Sequence, residues 1–169
     1  VTKDSSKYQN VGTLINDEDV LGYFVWIPRF RYKLWNIHDE VTDSYNAYDN
    51  GIEIIFENGL NSTESDIQND NYITHPVFSD NLKGFWISKY ELSKNNDVYR
   101  SVSGVESYRG DTLENYQNIG ASLSESYKLG DDVQSHMVNN LEWGATLYLS
   151  HSKYGVCEGD GCSSIGINS

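Results

Sequence analysis

Two cysteines are the residues of this sequence with the clearest chemistry. Cys157 and Cys162 lie in the segment CEGDGC and are the only cysteines of the chain. A structural zinc site needs four Cys or His ligands, and no second ligand pair stands at suitable spacing near them. The spacing favours a local disulfide that closes a glycine-rich loop, with two free thiols as the alternative. A disulfide indicates an oxidising compartment outside the cytoplasm.

Two acidic runs are candidates for binding a hard cation. Asp131 and Asp132 are adjacent, and Glu158 and Asp160 lie in the loop between the cysteines. Carboxylate oxygens are the ligands that calcium prefers, but neither run has the ligand spacing of an EF-hand. Exposed turns are the favoured interpretation, and the sequence predicts no cofactor.

The candidate catalytic residues have no recognisable catalytic partners in the sequence. His136 and His151 flank a predicted helix, and neither has a recognisable Cys, Asp or Ser partner for nucleophilic work. We interpret both as surface or capping residues. Lys89 and Glu91 fall on the same face of a predicted strand, where an ion pair or a hydrogen bond at the sheet margin is favoured over a catalytic role. The sequence therefore predicts that the chain is not an enzyme.

The composition favours binding surfaces. The chain has 13 Tyr, 5 Phe and 4 Trp, together with many Ser, Asn and Gly residues. Amphipathic rings combined with small adaptable polar groups are typical of surfaces that bind other molecules. Because loops carry much of the variation in binding, Tyr45, Tyr48 and Tyr72 in predicted loops are the candidate contact residues.

Length and charge limit the classes of partner. The 169 residues fit one domain, which we place at residues 20–169 after a polar N-terminal arm at residues 1–19. A net charge of −13, from 12 basic and 25 acidic residues, argues against nucleic acid and anionic membranes as partners. No apolar run approaches the roughly 18–20 residues that span a membrane.

The predicted strands are rich in aromatic and β-branched residues. The first predicted strand lies in residues 21–35 (LGYFVWIPRFRYKLW), and Pro28 predicts two strand pieces or a bulge there. After the proline, Arg29, Arg31 and Lys33 alternate with apolar residues, which favours a solvated or ion-paired face over a ligand site. Two further strands are predicted at residues 52–56 and 84–92.

Two helices follow the strands. The first is predicted from an N-cap at Asp111, with Glu114 at N3, to Lys128, and Gly130 ends it. One face of it carries Leu113, Tyr116, Ile119, Leu123 and Tyr127. This order of elements indicates an α+β fold in which two helices pack on a twisted antiparallel sheet.

The second helix has the strongest local signals. Asn139 is its predicted N-cap, and Glu142 at N3 completes a capping-box variant. Gly155 is predicted to end it in a left-handed conformation. Leu141, Ala145, Tyr148 and Leu149 form an apolar stripe at helical spacing.

Two segments resemble the formylglycine-generating-enzyme/sulfatase-modifying-factor superfamily. Residues 84–93 (GFWISKYELS) are similar to the strand pattern that opens its domain. Residues 136–155 (HMVNNLEWGATLYLSHSKYG) are similar to its second helix, where a polar cap precedes E-W-x-A-x-x-Y. The resemblance covers residues 20–155 and implies a C-type-lectin-like fold. It also implies structural roles, with both tryptophans in the core, for Trp86, Glu91, Glu142, Trp143 and Tyr148.

The chain also departs from that superfamily. Its enzymes carry copper-binding cysteines and calcium-ligand motifs in a C-terminal half that this sequence does not match. We therefore expect a non-catalytic bacterial surface or phage version that is incomplete at its C-terminus. The expected function is an extracellular binding module, on a cell surface or virion, for a surface glycan or protein. The alternatives are a self-assembling filament subunit and the N-terminal part of an oxidase, which a paired-cysteine motif beyond Ser169 would indicate.

Overall fold

The computed structural model describes residues 1–33, 52–57, 72–78, 81–155, 157–158 and 161–162, the last four by their backbone alone. These residues form small antiparallel sheets and two α-helices, which confirms the predicted α+β class. The chain divides into a first unit, Val1–Trp26 with Trp86–Val138, and a second unit, Ile27–Phe85 with Asn139–Ser169. The strands are β1 (Phe24–Pro28), β2 (Phe30–Lys33), β3 (Glu53–Phe56), β4 (Ile73–Thr74), β5 (Gly84–Ser88), β6 (Ser93–Asn95), β7 (Val98–Arg100), β8 (Cys157–Glu158) and β9 (Gly161–Cys162), and the helices are α1 (Leu113–Ser126) and α2 (Asn140–Ser150).

In the first unit, the N-terminal segment is bonded to the residues that precede β1. The Val1 amino group donates to the Gly22 carbonyl over 2.8 Å, and Thr2 forms a β-bridge with Val20. Two short 3-10 turns, Ser5–Tyr8 and Asp17–Asp19, lie between these contacts. The segment predicted as an arm is therefore tied to the unit at both ends.

Helix α1 supplies the first unit with a tyrosine anchor. Its C-cap residue Tyr127 is buried, and its single hydroxyl hydrogen is shared between the carbonyls of Tyr99 at 3.0 Å and Leu21 at 3.2 Å. This burial raises the pKa of Tyr127 to about 12. Gly120 is the buried residue of the helix, and a Cβ at this position would lie 2.7 Å from the backbone nitrogen of Met137. Three aromatic or aliphatic residues of the predicted stripe, Tyr116, Ile119 and Leu123, are half-buried, and Tyr127 is buried.

The ends of α1 differ from the prediction by one or two residues. The N-cap is Thr112, whose hydroxyl accepts from the Asn115 amide, so the predicted cap at Asp111 and N3 position of Glu114 are wrong. Asp111 instead accepts from the Thr112 amide just outside the helix. Leu113 is exposed because it stands in the first turn. Lys128, with a φ of +53°, is the first left-handed residue after the helix, ahead of Gly130.

The second unit is built on a three-stranded antiparallel sheet in the order β3-β2-β4. The chain breaks between β1 and β2 at Arg29, directly after Pro28, as predicted. On β2 the apolar face is buried, since Phe30 is fully inaccessible and Tyr32 nearly so. Ile54 is buried opposite Tyr32 on β3. The predicted period-two alternation is therefore confirmed.

Helix α2 has the predicted capping box. The Asn139 side chain accepts from the Leu141 and Glu142 amides, and the Glu142 carboxylate accepts from the Asn139 amide over 2.9 Å. Ala145 is fully buried, whereas Leu141 is half exposed. The helix ends at Ser150 with His151 as C-cap.

The role predicted for Gly155 is wrong. Its φ lies outside the left-handed region, so the glycine does not end the helix in the way we expected. A glycine is needed there because a Cβ would lie 2.0 Å from the Ser150 carbonyl oxygen. The requirement is a close backbone approach, which glycine alone allows.

Candidate functional site

The tyrosines predicted as contact residues are only partly described. Tyr45 and Tyr48 lie outside the described residues. Tyr72 is half-buried, its hydroxyl donates to the Glu53 carboxylate, and the Lys33 ammonium lies 5.9 Å from its ring centroid. Tyr72 thus contacts the edge of the β3-β2-β4 sheet and stays a candidate contact residue.

Both tryptophans predicted as core residues are exposed, which corrects that prediction. Trp86 on β5 is 65% exposed and Trp143 on α2 is 54% exposed. Ala145, two residues after Trp143, takes the fully buried position on α2. Strand and helix periodicity assigns residues to faces, but it does not say which face the rest of the protein covers.

Trp86 has an aromatic partner on the neighbouring strand. Strands β1 and β5 pair, and the flanking bonds from Lys89 N to Tyr23 O and from Arg29 N to Lys83 O fit an antiparallel register that sets Trp26 opposite Trp86. The two indole rings have centroids 5.2 Å apart and planes at 55°. Trp26 is itself 40% exposed.

The tryptophan pair forms an exposed aromatic surface that a ligand can contact directly. Each indole contributes a large, rigid apolar face and one N–H donor. Because a strand fixes both Cα positions, the paired rings lose little further conformational freedom when a ligand covers them. Contiguous exposed apolar surface marks interaction sites, whereas apolar residues scattered singly over a surface do not.

The remaining motif residues make contacts with neighbouring side chains or backbone groups. Glu142 belongs to the capping box of α2. Tyr148 meets the Tyr32 ring edge to face, with centroids 4.9 Å apart. Glu91 accepts a hydrogen bond from the Ser107 hydroxyl. Lys89, predicted to pair with Glu91, lies 5.5 Å from the ring centroid of Tyr90.

A buried ionic cluster in the second unit was missed by sequence reasoning. The Arg29 Nε pairs with the Glu57 carboxylate, and its Nη1 donates to the carbonyls of Phe78 and Leu82. The other Glu57 oxygen lies 3.6 Å from Arg31 Nε and accepts from the Thr74 hydroxyl. The side chains of Arg29 and Glu57 are 6% and 4% exposed. Arg29 and Arg31 are therefore ion-paired, as one of the two favoured interpretations predicts, and Arg29 is buried, whereas Lys33 at the end of β2 is exposed.

His75 lies within a cluster of aromatic rings. Its imidazole contacts Phe30, Tyr32, Phe78 and Tyr148, with ring centroids 5.3–6.2 Å away. Its Nδ1 accepts from the Val77 amide over 3.3 Å, which places the proton of the neutral ring on Nε2. Burial lowers the pKa of His75. The sequence gives no signal for this cluster, since its members come from three separate segments.

Among the acidic candidates for metal binding, Asp160 and the Glu158 side chain lie outside the described residues, and the others are not brought together. Within the described residues, no three His, Cys, Asp or Glu side chains stand close enough to hold a metal ion. Asp131, Asp132 and His136 are exposed, and His151 is the C-cap of α2, as the surface or capping interpretation predicts. An open depression of about 460 Å³ beside Glu125, Lys128 and Asp131 is too shallow to exclude water.

The backbone places the two cysteines opposite each other. Cys157 on β8 pairs with Cys162 on β9 in an antiparallel hairpin. Residues in that relationship have Cα atoms about 4.5–5.5 Å apart, within the span of a disulfide. The disulfide stays a prediction that this register favours.

Comparison of the chain with models of protein families, with curated proteins and with solved structures gave no match. Neither helix in the described part of the chain is long and apolar enough to cross a bilayer.

Proposed function

We propose that this chain is an extracellular binding module that contacts a surface glycan through Trp26 and Trp86. The observation that carries the proposal is the cross-strand indole pair, with centroids 5.2 Å apart and both rings open to solvent. Pairing is significant because two adjoining rings present more continuous apolar surface than two scattered ones.

The chemistry of indole and the charge of the chain favour a neutral glycan. A pyranose ring has an apolar C–H face, which complements the negative face of an aromatic ring, and hydroxyls at its edge that can pair with an indole N–H. With a net charge of −13, the chain repels acidic polysaccharides and phosphate polymers.

The scaffold is part of the same proposal. The segments that resemble the formylglycine-generating-enzyme superfamily fall on β5 and α2, which carry Trp86 and Trp143. A C-type-lectin-like scaffold in a bacterial surface or phage protein is consistent with the α+β class. Extracellular placement is supported by the cysteine pairing in the β8-β9 hairpin, since disulfides persist in oxidising compartments.

Binding to an array of neutral and acidic glycans tests the proposal. We expect binding to neutral glycans, a loss of at least tenfold in affinity for Trp26→Ala or Trp86→Ala, and little change for the matched exposed variant Trp143→Ala. If the wild-type chain binds no glycan on the array, or if all three variants bind like the wild type, the proposal is wrong.

Self-assembly into an appendage is the second candidate. It is supported by the same pair, because exposed tryptophans can be covered by another copy of the chain. Sedimentation and electron microscopy of the purified chain distinguish self-assembly from glycan binding. Filaments that disappear in Trp86→Ala favour assembly, whereas a monomer that binds glycan favours the binding module.

A further inference from the structure

Two tyrosine rings and a lysine of the first unit form a compact cation-binding arrangement. Tyr99 and Tyr108 have ring centroids 5.5 Å apart and planes at 73°. The ammonium of Lys94 lies 5.3 Å from the Tyr99 centroid and 5.7 Å from the Tyr108 centroid. Within about 6 Å of a ring centroid a cation is attracted by the ring quadrupole, so this ammonium is attracted by two rings at once.

The backbone fixes one half of this tyrosine cage, which we define as Tyr99 and Tyr108. Strands β6 and β7 form an antiparallel hairpin in which Lys94 and Tyr99 are direct cross-strand partners. Asn96 and Asp97 form its turn, both with positive φ, which is the conformation of a tight two-residue hairpin turn. Asp97 brings its carboxylate to 3.2 Å from the Lys94 ammonium.

The other half is fixed by side-chain contacts. The Tyr108 hydroxyl donates to Asp111 over 2.5 Å, and its ring meets Tyr116 of α1 edge to face at 5.8 Å. The hydrogen bond raises the pKa of Tyr108 and holds the pKa of Asp111 below its usual range. Asp111 is therefore an anion beside the cage, and Tyr108 is rigidly oriented before any ligand arrives.

A primary ammonium is not the cation that suits this arrangement best. An –NH₃⁺ group is strongly hydrated and seeks hydrogen bonds, which Lys94 makes to the Asp97 carboxylate and to the Tyr99 side chain. Ring faces donate no hydrogen bonds and accept only weak ones. A trimethylammonium group needs none, and contact between its methyl groups and aromatic faces is the known basis of its recognition by aromatic cages.

We propose that Tyr99 and Tyr108, with the Asp97 and Asp111 carboxylates beside them, form a binding site for a trimethylammonium group, and that Lys94 is an internal occupant that the ligand displaces. Tyr99 and Tyr108 are both half-buried, so part of each residue stays accessible to a ligand. The site is independent of the tryptophan pair, because it uses different residues and a different ligand chemistry.

Titration of the full chain with choline chloride tests the site, with the ring signals of Tyr99 and Tyr108 followed by NMR and assigned with Tyr→Phe variants. We expect weak binding by the wild type and about fivefold tighter binding by Lys94→Ala, because the competing occupant is gone. If Lys94→Ala does not fold, Lys94→Ser replaces it. Lys94→Met, which keeps the chain length and loses the charge, is expected to gain less than Lys94→Ala.

The matched control is Lys89→Ala, since Lys89 faces the single ring of Tyr90. It should leave choline affinity unchanged, and Tyr108→Ala should abolish binding. 3,3-Dimethylbutanol, the neutral isostere of choline, should bind at least fivefold more weakly. Equal binding of the isostere, or no gain in affinity for Lys94→Ala, overturns the proposal.

Phosphocholine distinguishes two sources of the ligand. Tighter binding of choline than of phosphocholine identifies a free cation as the ligand, which is the result that the two nearby carboxylates favour. Tighter binding of phosphocholine identifies a phosphocholine head group as the ligand. Either result supports the cage. Trp26→Ala should bind choline like the wild type, so failure of the glycan proposal and failure of this one are distinguishable.

Discussion

The imidazole of His75 meets the phenol ring of Tyr148 edge to face, with centroids 5.3 Å apart and planes at 88°. The contact joins the segment after β4 to helix α2 inside the second unit. It is made by a titratable residue that is 4% exposed. The packing of α2 therefore includes a histidine whose charged form is disfavoured by burial.

The first prediction is a loss of stability in mild acid that depends on His75. Burial lowers the pKa of this residue below its ordinary value of 6.5, so the unfolded chain binds a proton more readily. The stabilisation that comes from burying the neutral imidazole is complete when the pH is above this ordinary pKa. It is lost as the pH falls below the ordinary pKa, by up to about 1.4 kcal/mol per pH unit. Denaturant unfolding between about pH 7.5 and pH 5 measures this slope.

Variants separate His75 from other titrating groups. His75→Phe keeps an aromatic ring within the cluster of Phe30, Tyr32, Phe78 and Tyr148. This variant should show a smaller change in the free energy of unfolding over the same pH range. The titratable side chains that meet the imidazole are the phenols of Tyr32 and Tyr148, and phenols carry no charge in this pH range. His136→Gln, a change at an exposed histidine outside this cluster, is the matched control. The same slope in His75→Phe as in the wild type would contradict the assignment.

The second prediction concerns the buried ionic cluster. Glu57→Gln removes the anion that pairs with Arg29 and approaches Arg31, while keeping the side-chain shape. Loss of one member of a buried ion pair costs about 3 kcal/mol, since the remaining charge stays buried. Urea unfolding should show this decrease in the free energy of unfolding.

Its control is a surface pair. Arg109 and Glu106 form an ion pair 2.9 Å apart, with side chains 76% and 80% exposed. Glu106→Gln should leave the unfolding midpoint unchanged, because exposed pairs contribute little. A similar small effect for both variants would mean that Glu57 is not a structural anion.

Local signals in the sequence predicted local structure well. The capping box at Asn139 and Glu142, the break after Pro28 and the alternation on β2 all depend on neighbours within a few residues. The exposure of Trp86 and Trp143 could not be found this way, because it depends on which face the rest of the chain covers. The Arg29–Glu57 pair and the Lys94–Tyr108 contact join distant segments that no spacing rule connects.

The third prediction is that Cys157 and Cys162 form a disulfide when the chain is made in an oxidising compartment. Their direct pairing in the β8-β9 hairpin places their Cα atoms within the span of the bond. The intact mass should be two hydrogen atoms below that of the reduced chain, and alkylation should label neither cysteine before reduction. Full labelling of both cysteines in chain secreted from an oxidising host would exclude the disulfide.

The fourth prediction compares alanine substitutions at two helical glycines. A Cβ on Gly120 of α1 would lie 2.7 Å from the Met137 backbone nitrogen, so a neighbouring main chain must move. A Cβ on Gly144 of α2 would meet nothing closer than the His75 Nε2 at 3.8 Å, an ordinary contact. Gly120→Ala should destabilise by about 1–3 kcal/mol despite the better helix propensity of alanine.

Gly144→Ala should stabilise by roughly 0.5–1 kcal/mol, because alanine loses less backbone freedom on folding and nothing obstructs it. Thermal and urea unfolding of the wild type and of both variants measure the sign of the change in the free energy of unfolding at each position. The opposite signs are the informative result, since helix propensity alone predicts stabilisation at both positions. If both variants are more stable than the wild type, α1 does not lie against the Met137 backbone as closely as the structure places it.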